Sequence, residues 1–301
     1  MLSRARALSG ALLLTALMAG TITTIAAAAP THRSSLAKRS SAGAVHHRHR
    51  ARRAPPGGVW ARNAIVLDPA TGEVLFEKNS DRSVPIASLS KLMTMMVFLE
   101  QKPDLEREAV VTRDELDGGG HTQLRNGESV SLADLLHMSL MCSDNVATRV
   151  LARESGLAPD DFLARMNHKA IELGMTHTRF VEFTGLDERN VSTAADVARM
   201  LHAAADIDLV REITTTRSYE FRTARRVHEI HNTNRLLFSH YEIVGGKTGF
   251  ISEAGYCFAT WLRTQGRDLI AVVLGAPTNA TRFADTVRLV QRTTSASIAQ
   301  P

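Results

Sequence analysis

Cysteine is nearly absent from this chain of 301 residues: there are two, Cys142 and Cys257. So few cysteines exclude a disulfide-built fold, and both lie in apolar segments where they read as separate thiols. Acidic residues are missing altogether from 31–53, a stretch that holds seven Lys or Arg and four His residues. Such a stretch has little apolar surface to bury and is expected to be disordered. Set apart from its basic N-terminal portion, the chain is mildly acidic, so the net charge of +5 is no argument for nucleic acid. Beyond the N-terminus there is no run long and apolar enough to span a bilayer. There is no internal repeat.

The N-terminus itself holds Arg4 and Arg6, an apolar run over 7–19 and small residues up to Ala29. That order reads as a secretory signal peptide, 1–29, cleaved near Ala28 or Ala29. A retained anchor is the alternative, with a run short for a span of about 20 residues. Residues 30–56 read as a basic linker, either a solvated spacer, an arm for anionic wall or lipid polymers, or a metal-scavenging His tract. The remaining 57–301, about 245 residues, suffice for one large domain or two lobes around a cleft.

Strand-like runs occur at 63–68 and 74–77, around a turn at 68–72, and again at 244–250, 255–262 and 269–275. Between them lie helical patterns: one capped at Ser131, one closed by Gly174 and one opened by Thr193. A last amphipathic pattern carries Phe283, Val287 and Val290. The expected architecture is α/β and two-lobed. A five-stranded antiparallel sheet with flanking helices would be built from about 57–105 and 205–292, and an all-helical lobe from about 106–204.

The centre of the chain is 85–99, PIASLSKLMTMMVFL. A helix apolar on nearly every face belongs inside a domain. Lys91 opens it, and a buried ammonium is costly unless partners or a function offset it. Ser88, three residues earlier, shares its face, with Cβ atoms about 5–6 Å apart. The serine also sits at the positive end of the helix, which favours developing negative charge. Ser-x-x-Lys alone is weak evidence, since Ser35 and Lys38 in the linker share that spacing.

Two further motifs follow in order, Ser143-Asp-Asn145 and Lys247-Thr248-Gly249, each on a suitable element. The ordered triplet matches the signature of penicillin-binding proteins and class A β-lactamases. Acyl transfer needs a nucleophile, a base and donors for an oxyanion. In that chemistry Ser88 attacks and Lys91 takes its proton. Burial and a neighbouring cation, Lys247, would keep Lys91 neutral. Lys247 would also hold a substrate carboxylate, Ser143 would relay a proton to the leaving amine, and Asn145 would bond Lys91 or a substrate amide. The strand carrying Lys247, Thr248 and Gly249 would pair with an extended peptide. The backbone N–H groups of Ser88 and Phe250 are the candidate oxyanion donors. No cofactor or metal is called for.

From about 63 to 291 the chain resembles the low-molecular-weight penicillin-binding proteins, serine D-alanyl-D-alanine peptidases of the bacterial wall. The segments 85–94, 178–182, 184–186, 232–234 and 282–285 look like their endopeptidase branch, the penicillin-binding protein 7 type. The resemblance implies a transpeptidase-like fold, a periplasmic place, peptidoglycan stems and cross-links as substrate, and covalent trapping by β-lactams. Other cell-wall enzymes are possible partners. Cys142, beside Ser143, departs from the small residue expected there. The last helix ends near Arg292 with no basic amphipathic stretch after it, so no stable membrane anchor is expected, which favours cross-link cleavage over trimming of pentapeptide stems by a carboxypeptidase. A class A β-lactamase would place Glu and Asn four apart after the helical lobe; here Glu182 is followed at that spacing by Leu186. A non-catalytic β-lactam sensor would need a transmembrane connection.

Overall fold

Strand runs from the two ends of the described chain meet in one sheet. The computed structural model describes residues 58–298, so the signal peptide and basic linker expected above lie outside the described residues. β1 (Asn63–Leu67) and β2 (Val74–Lys78) form the first hairpin, and β3 (Val84–Pro85) leads to the buried helix α1 (Ser90–Glu100). Next come β4 (Glu108–Val110), α2 (Arg113–Leu116), β5 (Ser129–Ser131), α3 (Leu132–Met141), α4 (Asn145–Glu154) and α5 (Pro159–Glu172). Then β6 (Val191–Ser192) precedes α6 (Ala194–Ala205), α7 (Asp208–Thr215) and a hairpin of β7 (Ser218–Arg222) and β8 (Val227–His231). Three long strands, β9 (Glu242–Ile251), β10 (Gly255–Thr264) and β11 (Arg267–Ala276), and the helix α8 (Asn279–Ile298) complete the chain.

The main sheet is antiparallel in the order β2-β1-β11-β10-β9. Its inner strands are apolar on both sides because helices cover both faces. Ile65, Ile270, Val272 and Leu274 point into the core shared with α1 and α6. Their alternate neighbours Ala64, Val66, Ala271 and Val273 point to the layer containing Leu289 and Val290 of α8. This period of two is what a strand imposes on its side chains.

α1 is buried from Ser90 to Phe98 and packs against α3, α4, α5 and α6. Truncating one of its large apolar side chains, such as Phe98, costs about 3–5 kcal/mol. α6 touches α1 on one side and β1, β9, β10 and β11 on the other, so it belongs to the sheet as much as to the helices. Among the described residues no helix is long and apolar enough to cross a membrane.

The expected strands all form, four of them longer by one to three residues and β1 shorter by one. Ser131 Oγ caps α3 by accepting from the Asp134 N–H at 3.0 Å. The Asp134 carboxylate does not reach back; it accepts from Tyr219 Oη instead. A reciprocal capping box occurs further upstream, where Thr112 and Glu115 open α2.

Candidate active site

Ser88 lies one turn earlier than the helix itself, in a 3-10 turn, Ala87–Leu89, that feeds α1. The turn needs an unusual backbone: Ala87 has φ +50°. Two glycines hold it there. A Cβ on Gly185 would lie 2.0 Å from the Ala87 carbonyl oxygen, and one on Gly249 would lie 3.0 Å from the Ser88 nitrogen. The loop around Gly185 and the strand β9 therefore grip the turn at distances only glycine allows. Ser90 Oγ donates to the Ala87 carbonyl at 2.9 Å, and Asn190 Nδ2 donates to Ser90 Oγ at 3.1 Å.

Lys91 has no exposed surface, and its Nζ is 3.0 Å from Ser88 Oγ. It donates to Asn145 Oδ1 and to the Thr184 carbonyl, both at 2.6 Å. Burial lowers its pKa from 10.5 to about 7, against the nearby charges of Glu182 and Asp144. A neutral amine keeps two protons, which the two fixed acceptors take, and its lone pair is left facing the serine. In that neutral form the Ser88 hydroxyl can donate to Nζ, the arrangement that acyl transfer by a serine requires.

The two acceptors are fixed in turn. Asn145 opens α4 and its Nδ2 donates to the Gly119 carbonyl at 3.0 Å, which turns Oδ1 toward the lysine. Thr184 is held by Glu182, whose carboxylate accepts from the Thr184 N–H and hydroxyl, both at 2.6 Å, and from the Gly185 N–H. Asn190 Nδ2 adds a bond to Glu182 at 3.0 Å, and Thr94 Oγ1 of α1 donates to the Phe183 carbonyl at 2.6 Å.

Ser143 stands in the link between α3 and α4 with φ +65°. Its Oγ is buried and has no hydrogen-bond partner among the described residues. Asp144 caps α4 through the Ala147 N–H and accepts from Thr122 Oγ1 at 2.7 Å; burial raises its pKa.

Lys247, in β9, is 1% exposed and donates to the Thr248 carbonyl at 3.0 Å. Burial, then the charge of Lys91, holds its pKa well below the usual value. Burial is the main cause of the Lys91 shift, and Arg149 adds to it. Lys91 and Lys247 repel each other, which favours the neutral form of the pair. Thr248 Oγ1 is 2.6 Å from Thr233 Oγ1, and the Thr233 N–H donates to the Met141 carbonyl at 3.0 Å, tying β9 to the end of α3. From the far side Arg282 donates to the Gly249 carbonyl at 3.1 Å; its own burial lowers its pKa to about 10. Phe250 follows at once, its ring 49% exposed. The two cysteines are unpaired, as expected from the sequence. Burial pushes the Cys142 thiol up to about 12, and it donates to the Met138 carbonyl at 3.2 Å.

The structure thus brings Ser88, Lys91, Asn145 and Gly249 together, with Lys247 near enough to feel the charge of Lys91, Thr248 between Lys247 and Gly249, and Ser143 two residues before Asn145. Reading the sequence missed the Thr184 carbonyl, the Glu182 and Asn190 clamp, and Arg282. Glu182, Thr184 and Arg282 lie in segments that carry the family resemblance, but a backbone acceptor and its supports leave no residue-type signal.

A family model described as D-alanyl-D-alanine carboxypeptidase (Peptidase S11) matches residues 49–278. The D-alanyl-D-alanine endopeptidase of Pseudomonas aeruginosa is 38% identical over 232 residues, 75% of each chain. That of Escherichia coli is 35% identical over 236 residues, 77% of this chain and 76% of its own. Among solved structures, a mutant of the Streptomyces K15 DD-transpeptidase gives a TM-score of 0.75 at 26% identity, covering 79% of this chain and 98% of its own. The ampicillin-bound penicillin-binding protein D2 of Listeria monocytogenes gives 0.67 at 33% identity, over 78% and 98%. The transpeptidase-like architecture read from the sequence is therefore the observed one. The chain belongs to the D-alanyl-D-alanine carboxypeptidase family of serine peptidases.

Proposed function

We propose that this protein is a periplasmic D-alanyl-D-alanine endopeptidase that hydrolyses peptide cross-links of peptidoglycan through an acyl-enzyme on Ser88. The observation that carries the chemistry is the buried Lys91 Nζ at 3.0 Å from Ser88 Oγ, with its pKa lowered to about 7. Ser88 attacks the D-alanyl carbonyl while Lys91 takes its proton. The oxyanion forms against the backbone N–H groups of Ser88 and Phe250, and Ser143, whose hydroxyl has no other partner among the described residues, passes a proton to the leaving amine. A substrate carboxylate returns Lys247 to its charged form and is held there. The outer edge of β9, through Thr248 and Gly249, pairs with the extended peptide. Water then releases the acyl group and restores Ser88.

The endopeptidase reading is supported by the relatives that carry that name, from two organisms named above. The family description supports removal of terminal D-alanine as a second activity. β-Lactams enter the same cleft and acylate Ser88. The Glu182 carboxylate is taken up by the backbone around Thr184 and by Asn190, which supports slow release of that adduct. The signal peptide at 1–29, the linker at 30–56 and the catalytic domain at 57–301 are part of this proposal, as is association with other wall enzymes.

Purified protein given a cross-linked muropeptide dimer and a pentapeptide monomer separately decides which bond is cut. Conversion of the dimer to monomers is the expected result. Rapid release of D-alanine from the monomer with an untouched dimer would overturn the endopeptidase reading. Ser88→Ala should abolish both reactions and labelling by a fluorescent penicillin; labelling that persists removes Ser88 from the role of nucleophile.

A further inference from the structure

The two oxygens that orient Lys91, Asn145 Oδ1 and the Thr184 carbonyl, come from different segments, and a charged side chain stands behind each. Behind Asn145 that side chain is Arg149, one turn further along α4 and on the same face. Its guanidinium donates to the carbonyls of Glu115, Asp117 and Gly118 at 3.0, 2.7 and 3.3 Å. These bonds fasten the chain just before Gly119, whose carbonyl takes the Asn145 amide. There is no slack at that point: a Cβ on Gly119 would lie 2.7 Å from Val146 Cγ2 and 2.8 Å from the Glu115 carbonyl oxygen.

Behind Thr184 stands Glu182, which uses both carboxylate oxygens on its own loop. Oε2 accepts from the Thr184 N–H and hydroxyl, and Oε1 from the Gly185 N–H and Asn190 Nδ2. Gly185 is the residue pressed against Ala87, so one carboxylate steadies both the acceptor of Lys91 and the turn of Ser88.

Arg149 and Glu182 line one groove of about 640 Å3 together with Asp114, Glu115 and Asp187. Glu115 is paired with Arg153 and Asp187 with Arg189. Arg149 and Glu182 bond neutral groups instead, and so keep their full charges. The charged groups acting on Lys91 are Glu182, Asp144, Arg149 and Lys247, joined by Cys142 when it is ionised. After burial Glu182 is the foremost of these and favours the ammonium, whereas Arg149 opposes it.

We propose that Glu182 and Arg149 are a pair of positioning residues: each fixes one oxygen that aims the Lys91 amine at Ser88, and each sets a charge of opposite sign beside it. Strong, charge-assisted bonds thereby hold the lysine from both sides while their fields partly cancel at the amine. The inference rests on Lys91 being the base, as proposed above.

Stopped-flow acylation of the full chain by a chromogenic cephalosporin, followed across pH, separates aim from charge. The parent should give a midpoint at about 7 and a plateau above it. Glu182→Gln should move the midpoint down by about one unit, the size of one charge across a partly buried gap. Arg149→Gln should move it up, by a smaller step. Both plateaus should fall about 10- to 100-fold, since each acceptor loses its hold. Glu182→Asp and Arg149→Lys keep the charge and lose the reach, so their plateaus should fall while their midpoints stay with the parent. A residue that only supports the fold would lower the melting temperature and leave the midpoint in place. Midpoints that stay put in both Gln variants, or that move the same way, would overturn the pair. Should Glu182→Gln not fold, Arg149→Gln decides alone: an upward midpoint supports the pair, and an unmoved or lowered one overturns it. A flat profile in the parent would instead overturn the role of Lys91 beneath the inference.

Discussion

A lysine that works only when neutral makes the reaction depend on pH in one direction. With the Lys91 pKa lowered to about 7, the amine is protonated at lower pH and has no lone pair for the Ser88 hydroxyl. Acylation by penicillin should therefore rise with pH through about 7 and level off above it. A stopped-flow profile that is flat from pH 5.5 to 8.5 would remove Lys91 from the role of base. Lys91→Ala should slow acylation by about 10²–10⁴, the usual cost of a lost general base. A change within threefold would exclude Lys91 from that role as well. Part of this was legible from residue types alone: a lysine inside an apolar run, three residues after a serine, announces a function. The cause of its neutrality was not. How deeply Nζ is enclosed depends on residues distant in the sequence, and its two fixed acceptors are contributed from positions 145 and 184.

At the scale of elements, the turn carrying Ser88 is set by backbone pressed against backbone. Gly185 has φ +85° and no room for a Cβ. Gly185→Ala should cost about 2 kcal/mol or more from the left-handed backbone and the overlap with Ala87. It should also slow penicillin acylation more than the lower melting temperature explains. Wild-type acylation with an unchanged melting temperature would show that the grip is not needed. The strands of the main sheet could be read from the sequence because their apolar runs are long and bounded by turn residues. The hairpin of β7 and β8 could not. Its alternation is carried by Phe221, His228 and Ile230 against charged outward residues, and its turn at 223–226 lacks glycine, proline and asparagine. The helix α7 was missed as well, because it is eight residues long and ends in Ile213, Thr214 and Thr215, whose branched side chains read as strand.

Across the whole molecule, every motif of the site lies beyond residue 57, as do the described residues of both apolar cores. A shortened chain beginning at Pro56 should therefore cleave soluble muropeptides at the parent rate. Its retention on intact sacculi should be weaker and less salt-sensitive than the parent's, since seven positive charges are gone. Loss of activity on the soluble substrate would place the basic segment within the site. β9, for its part, is the last strand of the main sheet and has no strand partner on its outer side among the described residues. Every second amide along that edge has no ladder partner on that side among the described residues, and so is expected to exchange its hydrogen on a shorter clock than its neighbours in β10 and β11. A substrate stem or a covalently bound β-lactam laid along it supplies the missing partner. In deuterated buffer, acylation should therefore slow exchange at β9 while leaving β1 and β2 on their original clock. The same edge that admits substrate would then report, amide by amide, how long each acyl group stays.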